Sequence, residues 1–512
     1  MKYKPVIGLE VHVQLKTNSK LFCPCPSSAT GSGDPPNTNI CPVCTGQPGV
    51  LPVLNKRAVE MSIKTALALT CHINNISVFA RKNYFYPDLP KNYQISQYEQ
   101  PLAENGYLEI NENPPNSPFD KGGIKRGIKK KIRIKRVHLE EDAGKLLHAI
   151  GSQELSFSLV DFNRTGVPLM EIVSEPDIDS PESAVVYLST LKSMLQYLDV
   201  SDCDMEKGFL RCDANISVIP EASPAGELGT KSELKNMNSF KAIRDALEFE
   251  FHRQAEVLGK GEKVMQETRL WNPKKEISEP MRTKEEAHDY RYFPEPDLVP
   301  LEFSPEFIEG IRKTITELPE HRKERFLKEF GLSEYDANIL TSEKSLADYY
   351  EECLKDFKTA DLQFVQKPVA NWIITELLGR LNAANKSIKE SPVSSNNVVK
   401  LIKLIQDNTI SGRIAKTVFD EMFISGKSPE DIVKEKGLVQ VTDEKTLTKI
   451  IEEVIKEKEN VVNDYKSGKK QALSSLIGAV MKKTQGKANP QVVNKILHNL
   501  LDRVGLRPNR ST

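Results

Sequence analysis

A carboxylate set inside an apolar strand constrains this chain more than any other feature. Residues 167–173 read Val-Pro-Leu-Met-Glu-Ile-Val, so Glu171 lies in a run that would otherwise belong wholly to a core. A buried carboxylate with no partner is costly unless a cation or a set of donors meets it. Just upstream, R-V-H-L-E-E-D-A-G-K at 136–145 adds Glu140, Glu141 and Asp142. Two explanations fit: these acids gather a metal or cationic ligand, or they pair with Arg136 or Arg164. Between them, Leu155, Phe157 and Leu159 alternate with Ser156 and Ser158, as in a strand.

The same alternation recurs elsewhere. In 6–15, Ile7, Leu9, Val11, Val13 and Leu15 share one face of a strand, and Gly8, Glu10, His12 and Gln14 share the other. Residues two apart on a strand are about 6 to 7 Å apart, so Glu10 and His12 can flank a common ligand, although a solvated face reads identically. In 210–218, Arg211, Asp213, Asn215 and Ser217 oppose Leu210, Cys212, Ala214, Ile216 and Val218. In 230–236, Lys231, Glu233 and Lys235 alternate with Ser232 and Leu234. The pattern predicts an α+β fold whose antiparallel sheet packs one face on helices and shows carboxylates, Lys and Arg on the other. Glu10, Glu141, Glu171, Asp213 and Glu233 are the acids expected on that polar face. Oxygen donors of this kind suit Mg²⁺ bound with substrate phosphates, and Arg211, Lys231 and Lys235 suit the remaining phosphate charge. Asn163, Arg164, Asn215 and Asn236 lie in or beside the same runs and are expected to contact ATP or substrate. His12 fits an oxygen-loving ion less well; it ligates a softer ion such as Mn²⁺, contacts a metal-bound water, or acts as acid or base.

Four of the eight cysteines are clustered as Cys23-Pro-Cys25 and Cys41-Pro-Val-Cys44, around a segment rich in Ser, Gly, Pro and Asn. Paired thiolates suit a tetrahedral structural zinc, which ties down a loop with few apolar residues and leaves no position open for catalysis.

At 512 residues, about three domains are expected. Lys and Arg balance Asp and Glu at 71 each, so attraction to nucleic acid must come from local patches. One such patch is the tail: residues 461–512 hold ten Lys or Arg against Asp464 and Asp502. Another is the basic run 121–136, usually a solvated hairpin face but here leading into the acids. There is no run long enough to span a membrane and no signal-peptide core, so a cytoplasmic protein is expected. The segment 289–300, D-Y-R-Y-F-P-E-P-D-L-V-P, reads as a linker, and everything beyond it as helical, starting with one helix from a Ser304 cap to Gly331. The P-loop, G-x-G-x-x-G, G-x-S-x-G and H-E-x-x-H motifs are all missing.

Several longer runs carry a resemblance. V-I-G-L-E-V-H-V-Q-L, Y-F-Y-P-D-L-P-K, H-L-E-E-D-A-G-K, D-F-N-R-T-G-V-P-L-M-E-I-V-S-E-P-D, L-R-C-D-A-N-I-S-V, T-K-S-E-L-K-N-M-N-S-F and D-Y-R-Y-F-P-E-P-D resemble the B-subunit family of the tRNA-dependent glutamyl/aspartyl amidotransferases, nearly end to end. The resemblance implies a cradle related to the glutamine synthetase fold over 1–295, with the zinc loop at 23–44. A helical domain over 296–406 and a tRNA-binding tail over 407–512 would follow. It further implies phosphorylation by ATP and Mg²⁺ of the side-chain carboxylate of Glu on tRNA(Gln) and/or Asp on tRNA(Asn). Ammonia from a partner amidase, the A-type component of a heterotrimer, then displaces the phosphate, and a small C-type component straps the two together. The family's metal positions fall on His12, Glu141 and Glu171, with a second cation site near Glu10, Asp213 and Glu233; the cysteine pairs match the zinc-containing branch.

Two rivals make different demands. A zinc-containing tRNA-binding or assembly subunit with no chemistry would place five acids where they repel RNA unless metals occupy the basin. A self-contained amide ligase would take free glutamate and ammonia, whereas the basic tail favours a tRNA-borne substrate.

Overall fold

The computed structural model describes residues 2–27, 34–112, 128–150, 153–224, 226–283, 290–355, 357, 359–438, 444–467, 469, 471–484, 488 and 490–505. The chain forms two compact units, residues 1–318 and 319–512.

The first unit is built on a sheet with nine strands among the described residues. They are β1 (Tyr3–Gln14), β2 (His72–Ile73), β3 (Ala103–Glu112), β4 (Ile128–Glu141), β5 (Pro168–Ser174), β6 (Leu210–Pro220), β7 (Ser232–Lys235), β8 (Glu267–Asn272) and β9 (Ile277–Thr283), in the order β9-β8-β7-β6-β1-β5-β4-β3-β2. Every neighbouring pair is antiparallel except β7 with β8. Strict alternation has its expected result. Ile7, Leu9, Val11 and Val13 of β1 are inaccessible, as are Ala214 and Ile216 of β6, and all pack into one core. That core also takes the apolar faces of helices α1 (Lys56–Ala68), α2 (Pro181–Tyr197) and α3 (Phe240–Gly259). Ser180 starts α2 as an N-cap, its Oγ accepting from the Ser183 N–H at 3.1 Å, with Pro181 as the first helical residue.

Three expectations change. Residues 153–161 do form a strand, but among the described residues it pairs only with Lys145–Ile150, and Phe157 and Leu159 are 60% and 39% exposed. Alternation there reports local pairing rather than a place in the main sheet. The segment after 289 is an integral part of the first unit rather than a linker. Phe293–Pro294 pairs with Phe79–Asn83, and buried Glu295 accepts two 2.7 Å bonds from Arg81. Leu301–Glu302 pairs with Ile76–Ser77, and Phe307 and Ile311 of the helix Pro305–Arg312 join the core, so residues 296–318 pack with the sheet. The single helix expected over 304–331 is two, Pro305–Arg312 and Pro319–Lys328. The residue before a proline disfavours the helical region, and Pro319 instead opens the next helix.

The second unit is helical throughout its described residues and has two separate cores. One runs from Phe326 to Val433, the other from Leu447 to Leu501. The helix Thr359–Asn371 contains Pro368, which has no N–H to give the Phe364 carbonyl, and passes into a π-helical stretch, Trp372–Leu377. No helix of the described residues is long and apolar enough to cross a membrane.

Candidate active site and cysteine cluster

The polar face of the sheet is a band of charge set by strand register. His138 of β4 stands opposite Glu171 of β5, and Glu171 stands opposite His12 of β1. His12 is in turn opposite Arg211, Glu10 opposite Asp213, and Asn215 opposite Glu233. Three side chains converge: His12, Glu140 and Glu171 present ligand atoms all within 4.8 Å of one another. His12 Nε2 is 3.4 Å from Glu171 and 3.7 Å from Glu140, and His138 Nε2 is 3.1 Å from the same Glu171 oxygen.

Burial acts against charge on His12, but its hydrogen bond to Glu171 and the charges of Glu171, Glu140 and Asp213 outweigh it and hold the imidazole up at about 9. Burial likewise opposes ionisation of Glu171, yet His138 and His12 keep its carboxyl well below the ordinary range. The cluster therefore wants a cation. Adjacent ligands about 2.1 Å from an octahedral ion lie roughly 3 Å apart, so a small contraction of the observed distances would accommodate a divalent metal. The set fits; taking the His12 nitrogen would displace its proton.

Glu141 is placed elsewhere. It ion-pairs with Lys91 and accepts from the Ile95 N–H at 2.9 Å, beside a cavity of about 210 Å³ lined also by Cys23, Cys44, Gly166 and Tyr93. Glu140 sits in the cluster in the place expected of Glu141, held there by a 3.2 Å bond from Ser96 Oγ. Period-two alternation distinguishes them, because Arg136, His138 and Glu140 fall on one side of β4 and Glu141 on the other. The same alternation flags His138.

The other predicted residues divide. Asn215 donates to Glu10 at 2.9 Å, and Lys235 bridges Asp213 (2.5 Å) and Glu233 (3.0 Å), so Glu10, Asp213 and Glu233 are drawn to amide and ammonium partners rather than to one another. Arg211 bonds Asp142 at 2.6 Å, and that charge raises the guanidinium further while Arg211 and Arg164 hold buried Asp142 below its usual range against desolvation. Arg164 also donates to the Ala143 and Gly144 carbonyls. Arg211, Arg164, Asp213, Asn236, Lys145 and Lys207 line a cleft of about 620 Å³. Lys231 is exposed ahead of β7. Asn163 is buried and bonds the Asn39 N–H (2.8 Å) and the Pro35 carbonyl (2.9 Å), which commits it to the cysteine loop.

One further cation faces the cluster. The Lys82 ammonium lies 5.1 Å from the Tyr290 ring and 5.8 Å from that of Tyr84; burial opposes its charge, but the field of Glu140, two phenols and Glu171 raise it. Tyr292 stacks on Tyr98 at 4.2 Å. Reading 289–300 as a linker hid the contribution of Tyr290 and Tyr292. Asp289, residues 121–127 of the basic run, and Lys470, Lys487, Arg507 and Arg510 of the basic tail lie outside the described residues.

Cys23, Cys25, Cys41 and Cys44 also form a group within 4.8 Å. Cys41 and Cys44 sulfurs are 3.9 Å apart, close to the roughly 3.8 Å that tetrahedral zinc with 2.3 Å bonds requires. A hydrogen bond from Cys23, the Cys41 N–H and the Lys20 ammonium together outweigh burial and bring the Cys44 thiol down to about 4, while burial pushes Cys25 up to about 11. Lys20 is fully buried and spans Cys44, the Asn39 carbonyl (2.8 Å) and the Phe162 carbonyl (3.4 Å). Gly166, at φ +82°, turns the chain where Cys44, Lys20 and Glu141 approach.

Comparison with known proteins agrees across both units. Residues 5–309 match the family described as the GatB/GatE catalytic domain, and residues 348–501 match the GatB domain. The chain is 54% identical over 500 residues to the B subunit of the aspartyl/glutamyl-tRNA(Asn/Gln) amidotransferase of Carboxydothermus hydrogenoformans, covering 98% of this chain and 99% of that one. The same protein of Thermodesulfovibrio yellowstonii is 52% identical and that of Persephonella marina 51%, each over 501 residues, 98% of this chain and all of the relative. With its sheet and its helical unit both matched, this chain belongs to the GatB family, the B subunits of the aspartyl/glutamyl-tRNA amidotransferases.

Proposed function

We propose that this chain uses ATP to phosphorylate the side-chain carboxylate of Glu on tRNA(Gln) and/or Asp on tRNA(Asn), and then amidates it. A carboxylate oxygen attacks the γ-phosphorus and ADP leaves; ammonia attacks the acyl phosphate carbon, phosphate leaves, and a proton is lost to give Gln-tRNA(Gln) or Asn-tRNA(Asn). Activation is needed because a bare carboxylate has only oxide to expel. The reading is carried by the convergence of His12, Glu140 and Glu171 on one point of the sheet's polar face.

Those three residues would hold Mg²⁺, which when bound offsets phosphate charge in a transition state that needs positioning above all. We assign Glu140 rather than Glu141 to this ion, since Glu141 is occupied by Lys91. Arg211, Arg164 and Lys145 supply positive charge along the adjacent cleft for nucleotide phosphates, with Asn236 at its edge. A second cation between Glu10, Asp213 and Glu233 would replace the ammonium of Lys235, freeing that lysine and Asn215 for substrate. Lys82 is placed to balance an anionic substrate, and the cysteines hold a structural zinc. The first unit serves as a kinase cradle related to the glutamine synthetase fold. Ammonia comes from a partner amidase, and a small third protein completes a cytoplasmic heterotrimer. Within the tail over 407–512, the part beyond residue 444, which has a core of its own, grips the tRNA body through phosphates, by shape and with salt-sensitive affinity.

The test is ADP release by this chain assembled with its partner subunits, with Mg²⁺ and ATP and no ammonia donor. Stimulation by Glu-tRNA(Gln) alone, over uncharged tRNA(Gln) and no tRNA, and its loss in Glu171→Gln, is expected. ATP turnover indifferent to the aminoacyl group would return the chain to a tRNA-binding role. Deleting 444–512 leaves the Phe326–Val433 core whole and should weaken tRNA binding and flatten its salt dependence; unchanged binding would remove the tail from the reading.

A further inference from the structure

We infer that His138 is a positioning residue that clamps Glu171 and Glu140 into the geometry a divalent ion requires. The inference rests on the reading of His12, Glu140 and Glu171 as a metal site. His138 is 2% exposed, and its Nε2 lies 3.1 Å from Glu171 and 3.9 Å from the outer oxygen of Glu140. Nε2 thus faces oxygens of two carboxylates, which can only accept, so it carries the ring hydrogen. Nδ1 is buried with no hydrogen-bond partner among the described residues, so the Nε2 side of the ring alone engages the cluster.

The geometry divides the work. Glu140 offers its other oxygen to His12 at 3.7 Å, while the oxygen nearer His138 also takes the Ser96 hydroxyl at 3.2 Å. Glu171 receives His138 and His12 on one oxygen from opposite strands. When an ion takes the place of the His12 proton, His138 remains the buried donor that keeps two like charges on adjacent strands aimed at a common point. Such partners behind the ligands typically contribute about 10- to 100-fold in metal affinity.

The experiment uses the full chain assembled with its partner subunits and Mn²⁺ as a spectroscopic probe, titrated by electron paramagnetic resonance. Wild type, Glu171→Gln, His138→Gln and His138→Asn are compared, with melting temperatures alongside. A Gln amide places an N–H near the position of Nε2, whereas Asn places it near Nδ1. His138→Gln is expected to bind Mn²⁺ within about threefold of wild type, and His138→Asn about 10- to 100-fold more weakly at a similar melting temperature. Wild-type affinity in His138→Asn would overturn the clamp. Equal losses in both variants would overturn it too, leaving direct ligation or packing. Failure of wild type to bind Mn²⁺ at a site that Glu171→Gln removes would instead overturn the metal reading beneath it.

Discussion

The two clusters that fit a metal are built by opposite means. His12, Glu140 and Glu171 come from three strands and meet through sheet register, so the apolar face of the same strands fixes their spacing. Cys23, Cys25, Cys41 and Cys44 come from one loop with few apolar residues, tied through Lys20 and Asn163 to the turn at 162–163 that precedes β5. One set is mixed oxygen and nitrogen, crowded with like charge, and leaves room for substrate. The other is four sulfurs with no position to spare. The contrast teaches that the first cluster is strained for chemistry on a scaffold that stands without it, while the second helps to make its own scaffold.

Substitutions in the crowded set should therefore separate activity from stability. Glu171→Gln and Glu140→Gln are each expected to lower tRNA-stimulated ADP formation by about 10³-fold, the effect of several kcal/mol of lost charge stabilisation. Their melting temperatures should fall by less than that of Glu141→Gln, because the pairing each loses with His12 or His138 is partly offset by relief of the repulsion between the two carboxylates. Glu141→Gln should do the reverse. It strands the Lys91 ammonium, which has a 10% exposed side chain, and should cost about 3 kcal/mol of stability with a smaller loss of rate. If Glu141→Gln proves the inactive and stable variant, the assignment between the two neighbouring glutamates is inverted.

At the cysteine cluster the order of effects should flip. Cys44→Ser, or removal of the proposed zinc by a nitrogen-donor chelator in excess Mg²⁺, is expected to lower the melting temperature of the first unit by roughly 5 °C. Activity should fall about tenfold, indirectly, through the loop's contacts with residues 160–166. An unchanged melting temperature with abolished activity would make the cysteine cluster part of the chemistry and dissolve the contrast.

Legibility in the sequence followed the same line. Wherever alternation was long and strict, as in β1 and β6, the strand, its buried face and the residues of its polar face could be read directly, but not the Asn215 and Lys235 partners that those acids take. Four cysteines in two close pairs could be read equally well. Glu140 and Glu141 both look like ligands until the alternation of β4 is followed through core residues Val137 and Leu139, which puts Glu140 and not Glu141 on the sheet's open side. Lys82, Tyr290 and Tyr292 were hidden for another reason: they meet across some two hundred residues, and proline-rich spacing conceals the pairing of Phe293–Pro294 with Phe79–Asn83. Helices beyond 319 are marked by Ser caps and apolar stripes, but the break before Pro319 shows only once that residue is taken as a start.

Asn163 offers the finest test of the comparison, because its sequence context points to the phosphate cleft and its bonds point to the cysteine loop. Its side chain accepts from Asn39 and donates to Pro35, neither of which touches the cleft lined by Arg164 and Arg211. Asn163→Ala should therefore cost about 1–2 kcal/mol of stability, the size of one or two buried hydrogen bonds, and leave the KM for ATP unchanged. The stronger statement is about coupling. If Asn163 acts only by holding the cysteine loop, its cost should shrink toward zero in a Cys44→Ser background, where the loop has already lost its centre. Full additivity of the two substitutions, together with a raised KM for ATP, would move Asn163 to the nucleotide, and the loop would then be a part of the active site's wall rather than a support behind it.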